Sequence, residues 1–192
     1  MDLSSLYERA VAGWVAQIDH VGADQWQRPT PCSDWTVHDL VNHVVGEDLW
    51  SVPLVQGSTI EEVGDRFDGD LLGSDPVAAA GEAADASVTA VLPRIADGGT
   101  VHLSYGDEQL EEYLRQLIAD HVVHGWDLAA AVGGPTTLDP EIVSVVAGWY
   151  ADREELYRAS GVVGPRPGSF DDPQDDLLAG FGRDPRWEAP GP

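Results

Sequence analysis

The segment from Asp107 to Val132, closed by the Gly133–Gly134 pair, limits how this chain can fold more than any other stretch. Leu110, Leu114, Leu117, Ile118 and Val122 recur at helical spacing, and no proline interrupts them. A helix of about 25 residues is roughly 38 Å long, and its apolar stripe needs other helices to cover it. The acids Asp107 and Glu108 suit the positive end of the helix, so the spacing predicts that it opens there.

The rest of the chain supplies such partners. Residues 3–20 carry Leu3, Leu6, Tyr7, Ala10, Val11, Trp14, Val15 and Ile18 on one face. A second helix is predicted from Thr36 to about Trp50, with Thr36 and Asp39 at capping-box spacing and Val37, Leu40, Val41, Val44 and Val45 facing inward. An alanine-rich helix is expected over 76–96, and residues 100–106 alternate like a short strand. Asp139 and Pro140 open a further helix. Residues 51–75 are rich in Gly and Asp without clear periodicity, and read as a long crossover of the kind that borders a site. The expected architecture is all-α: a helical bundle with long crossover loops, a short strand before the long helix and an extra C-terminal helix. One domain over 1–192 is expected, with about 161–192 as an extended tail whose one apolar run is Leu177 to Phe181.

Composition removes several function classes. Ten basic against 34 acidic residues give a formal net charge of -24, which repels nucleic acid and an anionic membrane surface. No apolar run is long enough to span a membrane. Cys32 is the single cysteine, so an intramolecular disulfide is excluded and a reducing cytoplasm is the expected setting. A small-molecule substrate is the expected partner of the protein, as a monomer or homodimer.

Chemistry concentrates in DHVVHGWDLAAA, residues 120–131. Asp120 and His124, four apart on a helix, project from one face with Cβ atoms about 5–6 Å apart. That spacing suits two ligands of a divalent ion, and equally a simple i,i+4 helix pair. A third donor from another helix would leave coordination positions open, as in catalytic metal sites. His43, on the flank of the second helix's apolar stripe, is the candidate; a lone histidine there also reads as a packed or surface residue. His121 lies about 100° around the helix from Asp120, and His38 has the same difficulty relative to His43. Asp127 is either an acceptor that orients a ligand histidine or a helix-end polar group. Glu47, one turn past His43, is either a general base or a solvated helix charge. Cys32 is either activated by the nearby helix N-terminus or a small buried apolar group. Trp126 reads as packing, and His20 and His102 carry no pattern. Arg183 and Arg186 in GRDPRW read as tail anchors or as binders of a carboxylate on a substrate or cofactor.

TPCSDWTVHDLVNHVVGE, then DHVVHGWDLAAAVG, then GRDPRW resemble the DinB-like metal-binding family, in the branch similar to the N-terminal domain of mycothiol-dependent maleylpyruvate isomerase. The resemblance runs from the first helix to Trp187. It implies a four-helix bundle holding one divalent metal, usually zinc, with His43, Asp120 and His124 as ligands. Isomerases of this type use Glu where this chain has Asp120, one methylene shorter. The resemblance further implies a thiol S-transferase or isomerase in which mycothiol or another low-molecular-weight thiol supplies the nucleophile. Two alternatives stay open: a non-catalytic metal- or small-molecule-binding protein, and a cyclase, hydrolase or lyase of a natural-product pathway on the same scaffold.

Overall fold

A computed structural model describes residues 2–189. Four long helices form its core: α1 (Leu3–Ile18), α2 (Val37–Val55), α4 (Pro76–Ile95) and α5 (Leu110–Val132), with the single-turn α3 (Ile60–Val63) between α2 and α4. α1 packs on α4 and α5, and α2 packs on the same two, so the four close into a ring. Leu40, Val41, Val44 and Val45 of α2 meet Trp14 and Ile18 of α1, Ala80 and Ala83 of α4 and Leu128 of α5 at one end of the core. The expected all-α bundle with long crossovers is what forms. Among the described residues, no helix is long and apolar enough to cross a membrane.

Local chemistry explains most boundaries. The Thr36–Asp39 capping box is present: Asp39 N–H donates to Thr36 Oγ1 at 3.2 Å, and Thr36 N–H donates to Asp39 Oδ2 at 3.0 Å. α2 runs five residues past the expected Trp50, because Pro53 sits in its last turn and forfeits only one backbone bond there. Gly133, at φ 81°, ends α5 in the left-handed conformation that favours glycine, and its N–H donates to Ala129 O at 3.0 Å.

Two expectations need correction. The strand is one arm of a hairpin, β1 (Thr100–Leu103) against β2 (Gly106–Gln109), so Asp107 and Glu108 are strand residues and α5 starts at Leu110. Gly106, at φ 132°, turns the chain, and Leu110 N–H reaches back to Gly99 O at 2.9 Å. The acids at the positive end of α5 are Glu111 and Glu112. The 161–189 stretch is also less extended than expected. α6 (Pro140–Tyr150) and α7 (Glu154–Ala159) are followed by α8 (Pro173–Gly180), whose Leu177, Leu178 and Ala179 are buried. Phe181 stacks on Tyr150 with ring centroids 3.9 Å apart.

One polar chain links all four core helices. Ser51 Oγ donates to Asp48 O at 2.7 Å, so Ser87 Oγ must donate to Ser51 Oγ at 2.6 Å, and Tyr7 OH to Ser87 Oγ at 2.6 Å. Asp48 also accepts from His121 Nε2 at 3.1 Å, while His121 Nδ1 donates to Leu117 O at 2.7 Å. Asp48, Ser51 and Ser87 are fully buried, and His121 is nearly so.

Candidate metal centre

α2 and α5 run in opposite directions: His43 meets Asp120 and His124, and Asp48 meets His121. His43 Nε2 stands 3.4 Å from Asp120 Oδ2, and His124 Nε2 stands 3.3 Å from Asp120 Oδ1. One donor atom from each of the three residues lies within 4.8 Å of the others. Zinc bonds of about 2.0–2.1 Å in a tetrahedron put neighbouring ligand atoms roughly 3.3 Å apart; each histidine stands at about that distance from one of the two Asp120 oxygens, His43 from Oδ2 and His124 from Oδ1. Asp120 Oδ2 is buried and has no hydrogen-bond partner. A buried carboxylate oxygen left that way is costly, and a cation between the three groups would satisfy it. The residues fit a divalent ion.

The surroundings prepare these groups for that task. His124 Nδ1 donates to Asp127 Oδ2 at 3.0 Å, which turns the Nε2 lone pair of the neutral ring toward Asp120 and His43. Asp127 is fully buried and is held by Arg183, whose Nε donates at 3.1 Å and Nη2 at 2.8 Å to Asp127 Oδ2. Arg183 is fixed in turn by donating Nη1–H to Phe181 O at 2.9 Å. Asp127 therefore orients a histidine, one of the two roles left open for it, and also anchors the C-terminal segment, which spacing did not suggest.

Electrostatics follow from the same contacts. Burial opposes ionising Asp120, but the imidazoles of His124 and His43 outweigh it and hold its pKa well below the usual carboxylate range. Burial likewise opposes a charged His124, yet Asp120 and Asp127 together push its pKa up to about 9. Asp127 is lowered despite its burial, by Arg183 first and then by His124.

Trp35, which the sequence reading passed over, covers the centre. Its ring lies 4.8 Å from that of His43 and stacks at 27° on that of His124, 5.6 Å away. A tight turn places it: Trp35 N–H donates to Cys32 O at 3.1 Å, Asp34 takes φ 68°, and Thr30 Oγ1 contacts the carbonyls of Cys32 and Trp35. The only signal was an aromatic residue next to the capping threonine, which periodicity cannot interpret.

A cavity of about 360 Å³ opens beside the three donors, at the small end of the range for small-molecule sites. Its wall includes Glu47, Tyr113, Trp149, Tyr157, Phe181 and Arg183. Glu47 is thus a half-buried wall residue and not a solvated helix charge; burial, then Asp120, raises its pKa. Residues 51–75 contribute nothing to the wall. They are tied instead to the far side of α2, where Asn42 donates to Gly69 O at 2.9 Å and accepts from Leu71 N–H at 2.8 Å. The aromatic wall comes from α6, α7 and the segment after α8.

The remaining candidates fall into place. Cys32 is half-buried on the cavity wall, and burial pushes its thiol up to about 11, so it is a thiol at neutral pH. It forms a second cluster with His124 and Asp127. That cluster is the poorer cation site, because its carboxylate already holds Arg183 and its thiol resists ionisation. Arg183 reaches the site, but as the partner of Asp127. Arg186 does not: it is exposed and sits 5.7 Å over the Phe170 ring. His121 belongs to the buried chain with Asp48; burial disfavours its charge, but Asp48 prevails and raises its pKa. His38 lies 3.6 Å from Asp70 and His102 bonds Asp107 at 2.7 Å, both away from the centre. His20 donates to Ala16 O at 2.9 Å. Trp126 is buried packing.

Comparison with known proteins places the chain in a family. Two proteins of Mycobacterium tuberculosis, uncharacterized protein Rv0738 of strain H37Rv and uncharacterized protein MT0763 of strain CDC 1551 / Oshkosh, are each 35% identical to this chain, over 95% of its length and 98% of theirs. No solved structure matches it significantly. The model of the mycothiol maleylpyruvate isomerase N-terminal domain matches residues 7–129, a span that holds α2, α4, most of α1 and α5, and all three donors. With a closed four-helix ring and His43, Asp120 and His124 meeting inside that span, the chain belongs to the mycothiol maleylpyruvate isomerase N-terminal domain family.

Proposed function

We propose that this protein is a divalent-metal-dependent enzyme of the thiol S-transferase or isomerase type, acting on a small electrophile with a low-molecular-weight thiol. The observation that carries this is the meeting of His43, Asp120 and His124 around an unsatisfied carboxylate oxygen on the wall of a cavity. Two imidazoles and one carboxylate favour zinc among the common divalent ions, and those three residues would hold it. When bound, such a cation lowers the pKa of a coordinated thiol or water and polarises a carbonyl.

The chain's own residues do the rest. Asp127 fixes the tautomer and orientation of His124, and Arg183 fixes Asp127. Trp35 shields both imidazoles on one side, and the aromatic wall keeps the cavity dry enough to strengthen electrostatic contacts. Cys32 stays protonated, so the nucleophile comes from a cosubstrate. Mycothiol is the thiol that the family's description supports.

The test is to incubate zinc-loaded protein with mycothiol and a panel of small electrophiles, and to follow conjugates or isomers by mass spectrometry. Turnover that needs the thiol, and that disappears in His124→Ala, is expected. Turnover unaffected by chelation, or metal bound without turnover across the panel, would overturn the reading.

A further inference from the structure

Glu47 and Tyr113 are two polar side chains of the cavity wall that the candidate centre does not use; Gln116, a third, is engaged with the Tyr105 hydroxyl. No hydrogen bond or ion pair engages Glu47 among the described residues. The Tyr113 hydroxyl is buried without a hydrogen-bond partner, on a side chain only 4% exposed. Burial first, and then the Glu47 carboxylate, raises the pKa of Tyr113, so its phenol keeps its proton. Tyr113 lies two turns before Asp120 on α5, about 10 Å along the axis, and Glu47 lies one turn past His43 on the facing helix. The pair therefore occupies the end of the cavity toward the start of α5.

The charges around that end discriminate between ligands. Among the described residues Arg183 is the only arginine of the wall, and its Nε and Nη2 are directed at Asp127 and its Nη1 at Phe181 O. Glu112, beside Tyr113 in sequence, is held by Arg153 at 2.6 Å and by the Trp149 indole, so Glu47 is the one acid of this end still open to a ligand. Trp149 and Tyr157 add aromatic surface. A carboxylate with aromatic rings and a phenol oxygen matches a protonated amine, through a charge-assisted hydrogen bond and cation–π contacts.

We propose that Glu47 and Tyr113, with Trp149 and Tyr157, form a subsite for the ammonium group of a small amine, so that this part of the cavity prefers an amine to a neutral group of the same shape. This rests on reading the cavity as the place where the substrate binds. Glu47 accepts from the ammonium group, and Tyr113 is a specificity residue that offers it a second oxygen. Trp149 and Tyr157 lie beyond the family match, which ends at residue 129, in a chain that its two mycobacterial relatives match over 95% of its length.

Butylammonium and butanol, equal in shape and different in charge, test this by ligand-observed NMR titration of the full chain with and without zinc. Butylammonium should bind roughly tenfold more tightly than butanol. Glu47→Gln should erase that preference, and Tyr113→Phe should weaken the amine several-fold, with folding checked by near-ultraviolet circular dichroism. Equal binding of the two probes, a preference that survives Glu47→Gln, or no binding of either would overturn the proposal. Elemental analysis of the same samples separates the two readings: stoichiometric zinc without an amine preference sinks only this inference. A Glu47-dependent preference in a protein that takes up no metal supports it and sinks the metal centre.

Discussion

His124 sits between two carboxylates, and its proton competes directly with a metal ion. With no cation bound, its pKa rises from the ordinary 6.5 to about 9. A folded-state pKa raised in this way contributes stability that is complete below 6.5 and is lost as pH climbs through about 9. Between pH 7 and pH 9.5 the loss is about 2 kcal/mol, and the melting temperature of a chain this long falls by roughly 5–8 °C. Metal binding needs a neutral Nε2, so at pH 7 a cation has to displace that proton, and its apparent affinity grows about tenfold per pH unit until it levels off near pH 9. Two assays check this. The His124 ring should titrate near pH 9 by NMR in chelated protein and stop titrating when zinc is added. Calorimetry at pH 7 in buffers of different ionisation enthalpy should show release of about one proton per zinc from this ring. A chelated protein equally stable at pH 7 and pH 9.5, or zinc affinity flat across that range, would refute the argument.

Other consequences can be measured independently. Elemental analysis should find about one metal ion per chain, abolished by His43→Ala or His124→Ala and kept by His121→Leu. His121→Leu should nevertheless cost about 3 kcal/mol in urea unfolding by leaving Asp48 buried and unpaired, and Asp48→Leu combined with it should restore most of that loss. Arg183→Met frees Asp127 and should weaken zinc about 10–100-fold in a chelator competition, whereas a residue reserved for a substrate carboxylate would leave zinc affinity unchanged. Trp35 stacks on His124 and lies tilted against His43, so zinc should change tryptophan fluorescence in the wild type and not in Trp35→Phe.

Helical periodicity made the four core helices legible, along with the Thr36 cap and the glycine stop at Gly133; spacing put Asp120 and His124 on one face, and the family resemblance supplied His43 as their partner. What escaped had no periodic signature. Strand β2 is Gly-Asp-Glu-Gln, exposed or half-exposed throughout, so no alternation marks it, and its acids imitate a helix start. Spacing correctly set His121 apart from the ligand face, but could not show that Asp48 waits for it on a helix 73 residues away in sequence. Glu47 reads as an ordinary surface acid until α6 and α7 fold over it. Loop length suggested that residues 51–75 border the site; the cavity takes its wall instead from α2 and α5, from Cys32 and Trp35 before α2, and from Trp149, Tyr157 and Phe181 of the C-terminal third.

The pairing of Asp48 with His121 has a consequence for the candidate centre. Asp48 is five residues beyond His43, and His121 is the immediate neighbour of Asp120. Sliding α2 along α5 by a single turn, about 5.4 Å, would strand a carboxylate in the core and pull the ligand imidazoles apart in the same movement. The buried pair thus acts as a ruler for the metal-facing side of the bundle, and transplanting the three donors into another scaffold would have to bring that ruler along.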